Sequence, residues 1–99
     1  MNQVLEAEAP RISLAPRLTG AAAAELDAAL RNHRGEDIVV EAGRVELLGA
    51  QCAQVLVSAM QTWRIDGARL SVEAPSAAFA ADFRRLGLGR EAAALEAAG

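Results

Sequence analysis

The chain has 99 residues, of which 53% are apolar and only 3% aromatic, so we expect one domain over residues 1–99 with a thin core rich in alanine. Its net charge is −3, and the basic residues form no stripe with aromatic ones, which excludes a nucleic-acid-binding surface and argues against docking on an anionic membrane. One cysteine and one histidine cannot form an internal disulfide or a zinc site, and no glycine-rich phosphate loop is present, so we expect neither a metal nor a cofactor.

The sequence also predicts the cellular compartment of the protein. Its longest apolar runs fall far short of the roughly 18 residues that a membrane span needs. Glu6, Glu8 and Arg11 interrupt the early segment in which a signal peptide would have its apolar run. We therefore expect a cytoplasmic protein.

The first third of the chain is predicted to hold two strands and a helix. Val4–Leu5 is typical of a short edge strand, and the alternation of polar and apolar residues over Arg11–Ala15 predicts a strand with one buried face, which ends before a proline. Thr19 offers a hydroxyl N-cap to a helix over Gly20–Arg31, and Gly35 is expected to stop that helix.

The middle of the chain predicts a central strand and a long helix. Asp37–Ala42 is β-branched and almost continuously apolar, as in a strand covered on both faces, and Val45–Leu48 is expected to extend it after a kink. A helix over Ala50–Arg64 should follow and end at Asp66-Gly67. Its apolar stripe consists of Cys52, Leu56, Ala59 and Trp63.

The last third predicts a strand and two helices. Arg69–Ala74 alternates as a strand does, and Pro75-Ser76 opens a helix. The residues expected to pack this helix on the sheet are Phe79, Phe83 and Leu86. A short final helix is expected over residues 90–98. This mostly alternating order of strands and helices favours an α/β fold with a mostly parallel sheet.

Four segments, taken together in this order, resemble the STAS domain, the family of bacterial anti-sigma-factor antagonists. They are Leu18–Ala21, Asp37–Leu48, Gly67–Val72 and Phe79–Leu88, the last with a Leu-Gly-Leu exit. The resemblance implies an α/β STAS fold with a mixed, mostly parallel sheet of four to five strands and about four helices. It also implies a non-enzymatic regulator in signal transduction that acts through protein–protein interaction.

In antagonists of this family, the junction between a strand and the long helix reads Asp-Ser-Ser-Gly or a close variant, and a partner kinase phosphorylates one of its hydroxyls. The matching tetrad here is Gly49-Ala50-Gln51-Cys52, which has no hydroxyl, so the resemblance implies no phosphorylation at this place. A helix N-terminus at a strand exit still presents free backbone N–H groups. The expected partner-binding residues are Leu48, Gly49, Ala50, Gln51 and Gln54.

The resemblance leaves the partner open. Anti-sigma factors are one class of kinase-like partner, and the segment Leu48–Leu56 followed by Trp63 also resembles small STAS proteins found beside chemotaxis histidine kinases. An alternative resemblance is to the accessory STAS subunit of lipid-transporting ABC systems, which docks on the ATPase and usually keeps a Ser or Thr in this loop. The sequence is also compatible with a homodimer.

For single residues, the sequence supports a structural role better than a catalytic one. His33 has no Ser, Cys or carboxylate constellation beside it that would make it a general base. Cys52 lies in the first turn of a helix, which can activate a thiol, but it shares the apolar stripe, so a core position is favoured. Trp63 is expected at the edge of the core rather than at an interface, and Arg84-Arg85 on a solvated helix face. We therefore expect no catalytic residue.

Overall fold

The computed structural model of the chain describes residues 9–88, which form five short strands and three α-helices. The strands are β1 (Arg11–Ser13), β2 (Arg17–Leu18), β3 (Ile38–Glu41), β4 (Leu47–Leu48) and β5 (Leu70–Glu73). The helices are α1 (Gly20–Arg31), α2 (Ala50–Asp66) and α3 (Ala77–Arg85). The predicted strand at Val4–Leu5 and the predicted final helix over 90–98 lie outside the described residues.

The strands form two parallel sheets. One has the order β1-β3-β5, which places β3 in the centre as predicted, and the other pairs β2 with β4. The architecture is thus the expected α/β one with parallel strands, although the residues from 9 to 88 contain three helices where about four were expected for the whole chain.

The segment Val45–Leu48 was predicted to extend the central strand, but it does not. Only Leu47 and Leu48 are extended, and they pair with Arg17 and Leu18 in the second sheet. The strand β2 was not predicted, because two extended residues between a proline and a helix leave no period that a sequence pattern can show.

The core lies on one face of the larger sheet. Ile38, Val40, Leu70 and Val72 are buried in one cluster with apolar residues of all three helices. The other face carries half-buried or exposed residues, among them Arg11, which pairs with both Glu41 and Glu73. Within the described part of the chain β3 is therefore covered on one face, not on both as predicted.

The helix ends agree with the sequence in part. Gly67 adopts the left-handed conformation (φ 73°) at the end of α2, where a residue with a Cβ is disfavoured. Helix α1 ends at Arg31, before the predicted stop at Gly35. Leu86 lies just beyond the end of α3 and is 38% exposed, so the prediction that it packs on the sheet was wrong. None of the three described helices has the length and the apolar run that crossing a membrane requires.

Candidate functional site

Two strand-to-helix junctions lie side by side at one edge of the smaller sheet. Leu18 pairs with Leu48 in parallel register, and the N–H of Gly49 donates to the carbonyl of Leu18 at 2.8 Å. Each strand passes into a helix within one residue, so α1 and α2 begin next to each other and then pack together. The predicted junction at residues 48–54 thus has a second junction, at residues 18–20, as its immediate neighbour.

Gly49 makes this close approach possible. A Cβ at residue 49 would lie 2.9 Å from the carbonyl oxygen of Leu18 and 3.7 Å from the Cα of Thr19. The backbone of Gly49 is extended (φ −80°), a conformation open to any residue, so glycine is required here by space and not by its dihedral angles.

Both helices begin without a side-chain cap. Thr19 and Gly49 are the N-cap residues of α1 and α2, and neither provides a capping hydrogen bond from its side chain. The predicted capping role of the Thr19 hydroxyl is therefore wrong, although its place in the chain was right. Neither helix has an acidic residue in its first turn, so no carboxylate of those two turns offsets the partial positive charge that the N–H groups of the neighbouring helix ends present.

The two helix starts enclose a shallow, mostly apolar depression of about 480 Å³, which we call the junction surface. Its lining residues are Gly20, Ala23, Ala24, Ala50, Gln51, Gln54 and Val55. The side-chain amide oxygen of Gln51 lies directly over Gly20, in the space that a Cβ at residue 20 would occupy. The junction surface therefore combines small apolar side chains with two glutamine amides.

The predicted partner-binding residues divide between surface and core. Ala50, Gln51 and Gln54 are exposed and line the junction surface, while Gly49 is half-buried beneath its edge. Leu48 is only 1% exposed, and its side chain belongs to the core. Leu48 therefore has almost no surface of its own with which to contact a partner.

A buried carboxylate on α3 contacts the backbone of the junction at the end of β4. The sequence did not indicate this contact. Asp82 on α3 is 6% exposed, and its Oδ2 accepts a hydrogen bond of 2.9 Å from the N–H of Leu48. Arg85 reaches its other oxygen, Oδ1, at 2.6 Å. The bond from Leu48, with help from Arg85, holds the pKa of Asp82 below its ordinary value although burial opposes this shift.

One signal in the sequence points to Asp82. It lies three residues after Phe79 and one residue before Phe83, on the stripe by which α3 packs against the core. A carboxylate within such a stripe must be buried with a partner, since an unpaired buried charge is costly. The pattern alone does not identify that partner, which lies 34 residues away in the sequence.

Cys52 and Trp63 occupy the core, as predicted. The Cys52 thiol is fully buried, donates to the carbonyl of Thr19 at 3.3 Å, and has its pKa raised by burial, so it stays protonated. Trp63 is 3% exposed, and its indole N–H donates to the carbonyl of Glu36 at 2.7 Å.

The remaining candidates lie away from the junction surface. His33 is half-buried just beyond the end of α1, with its Nδ1 2.9 Å from a carboxylate oxygen of Glu36. Arg84 and Arg85 are exposed, as predicted for a solvated face, and Arg85 is the ion-pair partner of Asp82. Between residues 9 and 88, no group of three or more His, Cys, Asp or Glu side chains is arranged to hold a metal ion.

A protein-family model described as "Mlab, STAS domain" matches residues 1–96. The chain belongs to the STAS domain family. Comparison with curated proteins and with solved structures gave no match. STAS domains are generally non-enzymatic regulatory domains, and the parallel strands, the strand-to-helix junctions and the helices packed on one face of the sheet are consistent with the STAS fold.

Proposed function

We propose that this STAS domain is a cytoplasmic signalling regulator without chemistry of its own, which binds a kinase-like partner through the junction surface. The partner would be an anti-sigma factor or a chemotaxis histidine kinase. The strand-to-helix junction resembles that of kinase-binding STAS proteins, which suggests the partner class, and the geometry of that junction suggests the contact surface.

The observation that carries the proposal is the meeting of two uncapped helix starts at one small, mostly apolar surface. The N-terminal N–H groups of α1 and α2 suit a carboxylate on the partner, because neither first turn contains an acidic residue. The exposed amides of Gln51 and Gln54 can donate or accept, and the alanines around them let a partner approach closely.

The absence of chemistry is supported by the state of the two most reactive side chains. The thiol of Cys52 is protonated, buried and bound to a carbonyl, so it is a poor nucleophile. The imidazole of His33 is bound to Glu36 next to α1 and is no part of the junction surface.

Control of binding needs a route other than phosphorylation of the tetrad Gly49–Cys52, since those four residues have no hydroxyl. We propose that the partner's abundance, or competition among partners for the junction surface, determines how much of the domain is bound.

Arginine substitutions at the junction surface test the proposal. Gln51→Arg and Gln54→Arg replace an amide that the partner can contact by a longer side chain that blocks close approach to the small residues around it, so we expect each to weaken partner binding at least about tenfold, or ~1.4 kcal/mol. The measurement is titration of the purified domain with the candidate kinase, with circular dichroism to show that the fold is kept.

Gln61→Arg is the matched control, because Gln61 is exposed on the same helix about two turns beyond Gln54. It adds the same charge outside the junction surface and should leave binding within about twofold. Unchanged binding of both Gln51→Arg and Gln54→Arg would rule out the junction surface as the docking site.

A second candidate function is that of an accessory STAS subunit in a lipid-transporting ABC system, favoured by the Mlab description of the matching family model. The two candidates differ in the protein that is bound. Purification of the tagged domain with its bound proteins, followed by mass spectrometry, would recover a transporter ATPase in one case and a kinase-like protein in the other. Capture of the ATPase through the same surface, lost in Gln51→Arg, would decide for the second candidate.

A further inference from the structure

We propose that Asp82 is a positioning residue for the docking site: its carboxylate, held by α3, fixes the backbone from which the junction surface is built. This inference rests on the proposed function as far as partner binding is concerned. Its structural half, the restraint of the strand exit, stands on the contacts of Leu48 and is tested separately.

The backbone of β4 alternates between two sides. The N–H groups of Leu47 and Gly49 both point to the side of β2, where they donate to the carbonyls of Pro16, just before that strand (3.1 Å), and of Leu18, at its end (2.8 Å). The N–H of Leu48 lies between them and points to the opposite side, as alternation along a strand requires. On that side it meets the carboxylate of Asp82 where a neighbouring strand would otherwise offer a carbonyl.

Among the strands between residues 9 and 88, β4 pairs with β2 alone, and the bond from Leu48 to Asp82 takes the place of a sheet contact on its other side. Leu48 is almost fully buried, so its N–H has no ready access to water and would remain unpaired without the carboxylate. With Asp82 in place, the strand exit is held from both sides within two consecutive residues, by β2 at Gly49 and by α3 at Leu48. The first turn of α2, which contributes Ala50 and Gln51 to the junction surface, begins at the next residue.

A carboxylate is an expensive choice for packing alone. Asp82 lies on the buried stripe of α3, where an apolar side chain would avoid the cost of burying a charge. The carboxylate offsets that cost through the Leu48 bond and the Arg85 ion pair, and only the first of these reaches the junction. The contact that explains a charge at this place is therefore the one with the strand exit.

Two substitutions separate positioning from packing. Asp82→Asn keeps an oxygen that can accept from Leu48, while Asp82→Leu fills the apolar stripe and removes the acceptor. We expect amide hydrogen exchange at Leu48 and Gly49 to rise about tenfold or more in Asp82→Leu, beyond any change in global stability, and to change less than about threefold in Asp82→Asn. The partner's affinity should fall about tenfold in Asp82→Leu and be largely kept in Asp82→Asn.

Ser76→Ala is the control, because it breaks a hydrogen bond between the start of α3 and the segment before β4, together with the cap that the Ser76 hydroxyl gives to the N–H of Phe79, and leaves Asp82 in place. The Ser76 hydroxyl donates to the carbonyl of Val45 at 2.6 Å, three residues before Leu48. This variant should lower global stability without selective exchange at Leu48.

The exchange and binding results have separate meanings. Exchange at Leu48 that only follows global unfolding in Asp82→Leu, as in Ser76→Ala, would overturn the proposal outright. Selective exchange at Leu48 with unchanged affinity would overturn the role in docking. If affinity is also unchanged in Gln51→Arg and Gln54→Arg, the failure lies with the junction surface as the docking site and not with the restraint by Asp82.

Discussion

At the scale of single residues, Gly49 is the glycine of the junction at which an added Cβ would meet the backbone of the neighbouring strand. An added Cβ would lie 2.9 Å from a backbone oxygen that is held in a sheet and cannot easily move. We expect Gly49→Ala to lower the free energy of unfolding by about 1–3 kcal/mol through overpacking, and to weaken partner binding because the two strands must separate. Urea denaturation and titration with the partner measure the two effects.

Gly67→Ala is a useful comparison for this prediction. Gly67 has open space around its Cα but a positive φ of 73°, so alanine there costs stability through backbone strain alone, by about 1 kcal/mol. It lies at the far end of α2 and should leave partner binding unchanged. Equal loss of binding in both variants would show that Gly49→Ala acts through general destabilisation.

Individual residues also show which structural features the sequence could predict and which it could not. The core positions of Cys52 and Trp63 could be predicted because helical periodicity places both on one apolar stripe. The hydrogen bond between Asp82 and Leu48 could not be predicted, since it depends on which side of a two-residue strand remains unpaired. The hydroxyl of Thr19 misled the prediction because the pattern of an N-cap specifies a residue type and not the hydrogen bond it makes.

At the scale of elements, long periodic segments were predicted well and short ones were not. The three described helices and the strands β3 and β5 lie within a few residues of their predicted bounds. The pairing of β2 with β4 was missed, although it brings the two junctions together, because it joins segments 30 residues apart that have only two extended residues each. The candidate site could therefore be predicted as a stretch of chain, but not as a surface formed by two helix starts.

The end of α2 opposite the junction offers an element-scale prediction. The indole N–H of Trp63 ties α2 to the connection between α1 and β3 through the carbonyl of Glu36. Trp63→Phe removes this bond and leaves a gap beside the remaining ring, so we expect a loss of about 1–3 kcal/mol in the free energy of unfolding. Urea denaturation followed by circular dichroism is the suitable measurement, because the substitution removes the chain's single tryptophan.

Arg34→Ala provides the control at the same end of the helix. It removes the ion pair with Asp66 (3.0 Å), which also joins the connection after α1 to α2 but lies at the surface. Exposed ion pairs contribute little, so this variant should unfold at nearly the wild-type urea concentration. If Arg34→Ala were the more damaging change, the surface ion pair and not the indole bond would be the main tie.

At the scale of the whole molecule, one core connects the junction surface to helix α3. Apolar residues of both sheets and all three described helices form a single buried cluster, so α3 can support a surface made by α1 and α2 without touching it. Ala53 and Ala59 on α2 are buried within the same cluster. The composition predicted a core rich in alanine, but leucine is the commonest residue of the buried cluster between residues 9 and 88 and alanine is a minority. The coverage of only one sheet face followed from the placement of the helices.

The charge at Asp82 should also make global stability depend on pH in the acidic range. Its pKa in the folded state lies below the ordinary value of 3.8, mainly because the Leu48 N–H stabilises the carboxylate. Between the two pKa values the unfolded chain binds more protons than the folded one, so stability falls as the pH falls. The contribution of Asp82 is thus fully present well above pH 3.8 and is lost progressively below it.

Asp82→Asn cannot titrate and should lack this part of the dependence of stability on pH. We expect the difference in unfolding free energy between wild type and Asp82→Asn, measured by urea denaturation, to be constant near neutrality and to shrink as the pH is lowered through the acidic range. A difference that stays the same down to the most acidic pH would mean that the bond to Leu48 does not depend on the charge of Asp82.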